Sequence, residues 1–264
     1  MPVWKWALLL LISLTLSILM YSLAQVVRII PIHAWLQSLL SIAVSVGMIA
    51  LYAVFVKVFE NHPAGDIPFG KIVPDTLKGL GFGFGYFILL VGLMAAIGVY
   101  HVEAFGVDHP SELIAAFFLF LIVGVGEEIV FRGVLFRWID EKWGFVAALV
   151  VSSLFFGFVH IINPGATWWS SLAIAIEAGL LLGAAYKYAG NLWLPIGIHW
   201  AWNFTQGNIF GFAVSGGDAG VSLIQSYVTG TDLLTGGEFG AEASLFAPIL
   251  GLALAVWFIV KSRK

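Results

Sequence analysis

The stretch FLFLIVGVGEEIVFRGVLF, Phe118–Phe136, is apolar except for Glu127, Glu128 and Arg132. It has the length and composition of a membrane span. A charge at the bilayer centre costs about 2.5–3.5 kcal/mol on insertion scales, so three charges in this run need a compensating arrangement or a chemical task. Helical spacing supplies part of the compensation. Glu128 and Arg132 are i,i+4 neighbours that stack on one face and can pair. Glu127 is turned by about 100° from that face, given 3.6 residues per turn, and is free to address a neighbouring helix. Gly124, Gly126 and Gly133 permit close helix approach. Two readings stand at this point: a neutralised structural pair beside a protonated Glu127, or a site where a carboxylate meets water.

Composition sets the solvent. The chain has 264 residues, of which 61% are hydrophobic and 10% charged, with a mean hydropathy of +1.00. Soluble domains carry about 25% charged residues, so this composition is that of an integral membrane protein. The net charge of −3 gives no reason to expect nucleic acid as a partner. There are no cysteines, which excludes disulfides, thiolate metal sites and cysteine nucleophiles. Spans need about 20 apolar residues, and eight are read: 6–27, 35–57, 78–100, 112–136, 144–162, 168–187, 191–212 and 244–260. The expected fold is therefore an all-α membrane protein forming one polytopic domain over 1–264. Trp4, Trp6, Trp35, Trp143, Trp168, Trp169 and Trp193 near the span ends read as interfacial anchors.

With eight spans, Lys5, Lys57, Lys71, Lys78, Arg137, Lys142, Lys187, Lys261, Arg263 and Lys264 fall on one side. Arg28 falls on the other. The positive-inside rule then puts both termini in the cytoplasm. The alternative, that residues 1–25 are a cleaved signal ending near YSLAQ, requires an unusually long apolar run. The 213–243 segment contains Asp218, Asp232, Glu238 and Glu242, is rich in Gly and has no Lys or Arg. It reads equally as a gating element or a flexible linker.

Further polar residues recur inside the spans. Phe156 and His160 are i,i+4, and His160 alone reads as a helix-end histidine bonded to a backbone carbonyl. His199 and Asn203 are also i,i+4, just after Pro195 and Gly197, which can loosen a helix and open a wet pocket. Alone, this pair reads equally as interhelical hydrogen-bond glue, worth about 0.6 kcal/mol. Glu177 has no evident partner; a packing carboxyl, a partner of a histidine and part of a proton path are all open. Together, a carboxylate, two imidazoles and a carboxamide make a competent set for hydrolysis. The carboxylate takes a proton from water, and histidine and asparagine donate to a developing oxyanion.

These residues resemble the CPBP, or Abi, family of intramembrane proteases, which includes the type II CAAX prenyl endopeptidases. The family pattern EExxxR, FxxxH and HxxxN/D appears in order as EEIVFR at 127–132, Phe156 with His160, and HWAWN at 199–203. The resemblance covers roughly 112–205, expected to be the catalytic core. It implies a glutamate-dependent endopeptidase with Glu127 as the base that activates water. Glu128 and Arg132 would be the supporting pair, His160 would position the water, and His199 and Asn203 would form the oxyanion hole. Phe156 and Glu177 are supporting candidates. No cofactor is expected, the alternative being zinc on Glu127, His160 and His199. The expected partners are the bilayer and a membrane-anchored or lipid-modified peptide. The expected location is the plasma membrane, with the site toward the cytoplasm. A proton-coupled transporter and a non-catalytic membrane partner, such as an immunity protein on the same fold, are the competing readings.

Depth poses a problem. At about 1.5 Å per residue, Glu127 and His199 lie roughly 14–15 Å from the cytoplasmic ends of their spans, whereas His160 lies about 25 Å along its own. The span carrying His160 is therefore expected to project beyond the membrane on the cytoplasmic side.

Overall fold

Runs of apolar residues closed by glycine or proline become long helices in the computed structural model, which describes residues 11, 15, 19, 22–60 and 65–262. Five helices among them are long and apolar enough to cross a membrane: α1 (Ala34–Val58), α2 (Phe69–Ala96), α3 (Pro110–Trp143), α4 (Phe145–Ile162) and α5 (Trp168–Ala189). Two shorter ones follow. Helix α6 (Trp193–Phe204) continues as a π-helical turn, Thr205–Ile209, and α7 spans Phe246–Ser262. Residues 22–29 are also helical, but most of the expected first span and the candidate signal at 1–25 lie outside the described residues.

Local chemistry sets the breaks. Pro110 occupies the first turn of α3, where its missing N–H costs nothing. Gly144, at φ 82°, turns the chain sharply between α3 and α4. Thr167 and Ser170 form a reciprocal capping box at the start of α5, and left-handed Gly190 ends it.

All residues of α6 from Trp193 to Phe204 are buried, so it runs through the middle of the bundle. Small residues allow that. A Cβ on Gly197 would come within 2.4 Å of the Thr76 carbonyl oxygen of α2, and one on Gly124 of α3 within 3.2 Å of Trp200 N. Gly197→Ala should overpack the α2–α6 seam and lower stability by about 1–3 kcal/mol. Unfolding of the purified protein in detergent measures this, and an unchanged midpoint would refute the tight-seam account. The outward faces carry exposed Val73, Leu77, Val146, Val150, Leu252 and Val256. In a protein of this composition they form the lipid-facing belt.

One end of the bundle is basic. Lys187 of α5 pairs with Asp140 of α3 at 2.8 Å, Phe55 of α1 packs on Trp138, and Tyr188 packs on Trp257 and Phe258 of α7. Trp193, read as an interfacial anchor, is instead buried at this end and donates its indole N–H to the Pro68 carbonyl.

The opposite end carries a structured cap. Strand β1 (Tyr100–Phe105) pairs antiparallel with β2 (Ile224–Val228), with an irregularity between Val102 and Ala104. This two-stranded ribbon is an addition to the all-α expectation. It ties the α2–α3 connection to the Gly-rich segment before α7. That segment buries Phe239, Ala241, Glu242 and Ala243 and is no flexible linker. Asn163 donates to the Ser215 carbonyl at 3.0 Å and Trp169 to the Ala243 carbonyl at 2.7 Å, which fastens the cap to the ends of α4 and α5.

Candidate active site

The length of α3 brings Glu128 level with His160. Sequence reading ended this span at 136, because RWIDEKW looks like a loop. The helix instead continues to Trp143 and has 34 residues, or about 50 Å at 1.5 Å per residue. That exceeds a hydrocarbon core of about 30 Å, so α3 is long enough to reach beyond a bilayer of ordinary thickness. Glu128 stands fifteen residues before Trp143, and His160 fifteen residues after Phe145. The tight turn makes the two arms antiparallel and brings these residues level. Phe131 meets Phe156 edge-on at 4.8 Å across the pair.

Glu128 and Arg132 are both fully buried. Arg132 Nη1 donates to Glu128 Oε1 at 2.7 Å. Its Nη2 points to the carbonyl oxygens of Ala178 and Gly179 at 3.2 and 3.1 Å. These carbonyls belong to or flank a π-helical turn, Ala175–Gly179, in α5. A second π-helical segment, Ile129–Phe136, contains Arg132 itself. Such turns widen the helix and free carbonyls from the i→i−4 ladder. Phe156 lies under the guanidinium at 4.6 Å, a cation–π contact.

His199 Nδ1 lies 2.9 Å from the same Glu128 Oε1. The carboxylate oxygen accepts from both Arg132 and His199, which fixes the proton on Nδ1 and turns Nε2 away. Glu127 Oε2 is 3.9 Å from that Nε2, beyond hydrogen-bond distance. This oxygen is buried and has no hydrogen-bond partner among the described residues. Phe156 also sits edge-on to the His199 ring at 6.0 Å.

His160 Nδ1 bonds to the Phe156 carbonyl at 2.7 Å. The carbonyl can only accept, so Nδ1 carries the proton and Nε2 is left as an acceptor. The i,i+4 spacing thus serves twice: the Phe156 ring supports Arg132 and His199 while its carbonyl orients His160. His160, His199, Trp202, Asn203, Ser215 and Glu242 line one cavity of ≈ 20 Å³, room for about one water. Glu127 is not part of that lining.

Glu177 stands apart. It is fully buried, and its Oε2 lies 2.9 Å from the Tyr86 hydroxyl, which also reaches the Ala247 carbonyl at 2.7 Å. For zinc, the donor set Glu127, His160 and His199 does not converge: among the described residues no three His, Asp or Glu side chains gather as a metal site.

The structure thus unites Glu128, Arg132, Phe156 and His199 in one contact set. It brings Glu127 to its edge and sets His160 and Asn203 on the adjoining cavity. Residues 109–205 match the family described as type II CAAX prenyl endopeptidase Rce1-like. Over that segment the chain is similar to the CAAX prenyl endopeptidases. The Rce1-like segment contains all three motifs and runs from just before α3 to the end of α6. No match was found among curated proteins or among solved structures. Among the lining residues that sequence reading missed are Ser215 and Glu242, both outside the Rce1-like segment. Their only sequence signal was an acidic residue close before an apolar run.

Proposed function

We propose that this protein is an intramembrane endopeptidase in which Glu127 activates water against the peptide bonds of membrane-anchored or lipid-modified substrates. The observation that carries this reading is Glu127 held beside His199, whose ring is fixed by the buried Glu128–Arg132 pair. An arrangement built only for neutralisation would need no second carboxylate with a buried, unpartnered oxygen. His160 Nε2 accepts a hydrogen bond from the attacking water, which keeps that proton, and Glu127 takes the other proton as the oxygen adds to the carbonyl carbon. Asn203 and a protonated His199, through Nε2–H, face the developing oxyanion. Preorganised donors of this kind are each worth about 10²–10³ in turnover.

With the basic end in the cytoplasm, as the positive-inside rule directs, the cavity sits between that end and the cap. It lies directly beneath the cap, with Ser215 and Glu242 in its wall.

The test is cleavage of lipidated and unlipidated fluorogenic peptides by the purified protein in detergent, with and without chelator. Cleavage that persists with chelator is the expected result. Cleavage abolished by chelator would restore zinc. Absence of cleavage, together with proteoliposome flux that depends on Glu127, would replace the protease by a transporter.

A further inference from the structure

Among the described residues, one non-glycine backbone has a positive φ: Ser215, at 49°. Such a conformation is costly for a side-chain-bearing residue and persists where the surroundings impose it, often at functional sites. Here it aims the Ser215 N–H at Glu242 Oε1, 2.5 Å away. The Ser215 carbonyl is held from the other side by Asn163. The Trp202 indole is a further partner of the same carboxyl. Glu242 is 2% exposed, yet it lines the cavity shared by His160, His199 and Asn203. A buried carboxyl with a dedicated strained donor, facing three candidate catalytic side chains, exceeds what fastening a loop requires.

We infer that Glu242 is the general acid that protonates the departing amine when a peptide bond is cleaved at the mouth of this cavity, between Glu127 and the lining histidines. The inference rests on the hydrolytic reading above and adds a group that the three motifs do not contain. Attack forms the C–O bond, and the water proton goes to Glu127. As the tetrahedral intermediate collapses, the C–N electron pair leaves with nitrogen. The carboxylic proton of Glu242 passes to that nitrogen, giving a neutral amine and a Glu242 carboxylate. Glu127 then loses its proton to solvent and Glu242 regains one, which restores the starting state.

The groups facing Glu242 are His199 of α6, His160 of α4, and Glu177 of α5 with its Tyr86 partner on α2. Burial pushes the Glu242 carboxyl up to about 7, against the hydrogen bonds from Ser215 and Trp202 and the His199 charge, which act in the opposite direction. An acid of that strength is well matched to proton transfer near neutral pH.

A matched pair of substrates tests this with the full-length protein in detergent: one peptide, and an aryl ester of the same acyl sequence. An amine leaving group needs a proton, whereas a phenolate leaves without one. Glu242→Gln should lower kcat for the peptide by about 10²-fold, the lower bound for general acid–base catalysis, and leave ester cleavage within about threefold of wild type. The carboxamide oxygen still accepts from Ser215, and the retained ester activity reports that the variant is folded. Glu242→Asp should recover part of the peptide activity. Wild-type peptide turnover should fall as pH rises through about 7, a limb missing from the Gln variant. Equal losses on peptide and ester would make Glu242 structural, and unchanged peptide turnover would remove it from the mechanism; either overturns the inference. Wild-type inactivity on both substrates would overturn the hydrolytic reading itself.

Discussion

Glu127→Gln is expected to lower kcat for peptide cleavage by about 10²–10⁴-fold, the range for losing a positioned general base. The substitution keeps size and polarity and removes only the ability to take a proton. It leaves the buried ion pair of Glu128 and Arg132 untouched, so the protein should fold and bind substrate with little change in KM. A fall confined to kcat marks an interaction made in the transition state. The corresponding change at Glu128 has a different signature, because it removes the acceptor of both Arg132 and His199 and should damage stability together with turnover. Wild-type turnover in the Glu127→Gln variant would eliminate Glu127 as the base. A biological effect that survived the substitution without any turnover would favour a membrane partner over an enzyme.

The second large effect is on folding. Arg132→Met should destabilise the protein by about 3–5 kcal/mol, the usual result of removing one partner from a buried pair. The loss comes from what is left behind. Glu128 would remain charged and fully buried with only His199 beside it, and the carbonyls of Ala178 and Gly179 would lose their donor. Combining Glu128→Gln with Arg132→Met removes the stranded charge, so the double variant should be more stable than Arg132→Met alone. Denaturation of the four proteins in detergent completes the cycle. If the double variant were the less stable of the two, the stranded-charge account would be wrong.

The motif side chains were legible in sequence because they obey a single short rule, i and i+4 on one helical face. That rule pairs Glu128 with Arg132 and Phe156 with His160, and the structure has both contacts. It could not show that Glu128 also receives His199, since that contact crosses 71 residues and two helices. The long α3 was missed for a physical reason. Asp140, Glu141 and Lys142 resemble a loop when a helix is judged by hydropathy, but a helix longer than the bilayer is thick is free to be polar at its end. The cap was missed because glycine-rich sequence reads as flexible, whereas these turns are pinned by buried Phe239 and by the Gly216 N–H bonded to the Phe239 carbonyl at 2.8 Å. Glu242 shares no periodicity with the motif residues, and only folding of the cap onto the helix ends brings it beside His199.

The tight turn at Gly144 also works as a ruler. Because Glu128 and His160 are counted off equally from it, the two arms can lengthen or shorten only in step. One residue added to α4 alone would shift His160 by about 1.5 Å and swing it by about 100°, taking it out of the cavity. One residue added to each arm would keep the pair level but rotate both faces together, and the facing surfaces would be regained only after whole turns. Chains built on this hairpin should therefore vary in arm length by matched steps of three or four residues per arm. A chain with unmatched arms must realign its histidine by a bulge, which makes helix irregularity the expected companion of unequal length.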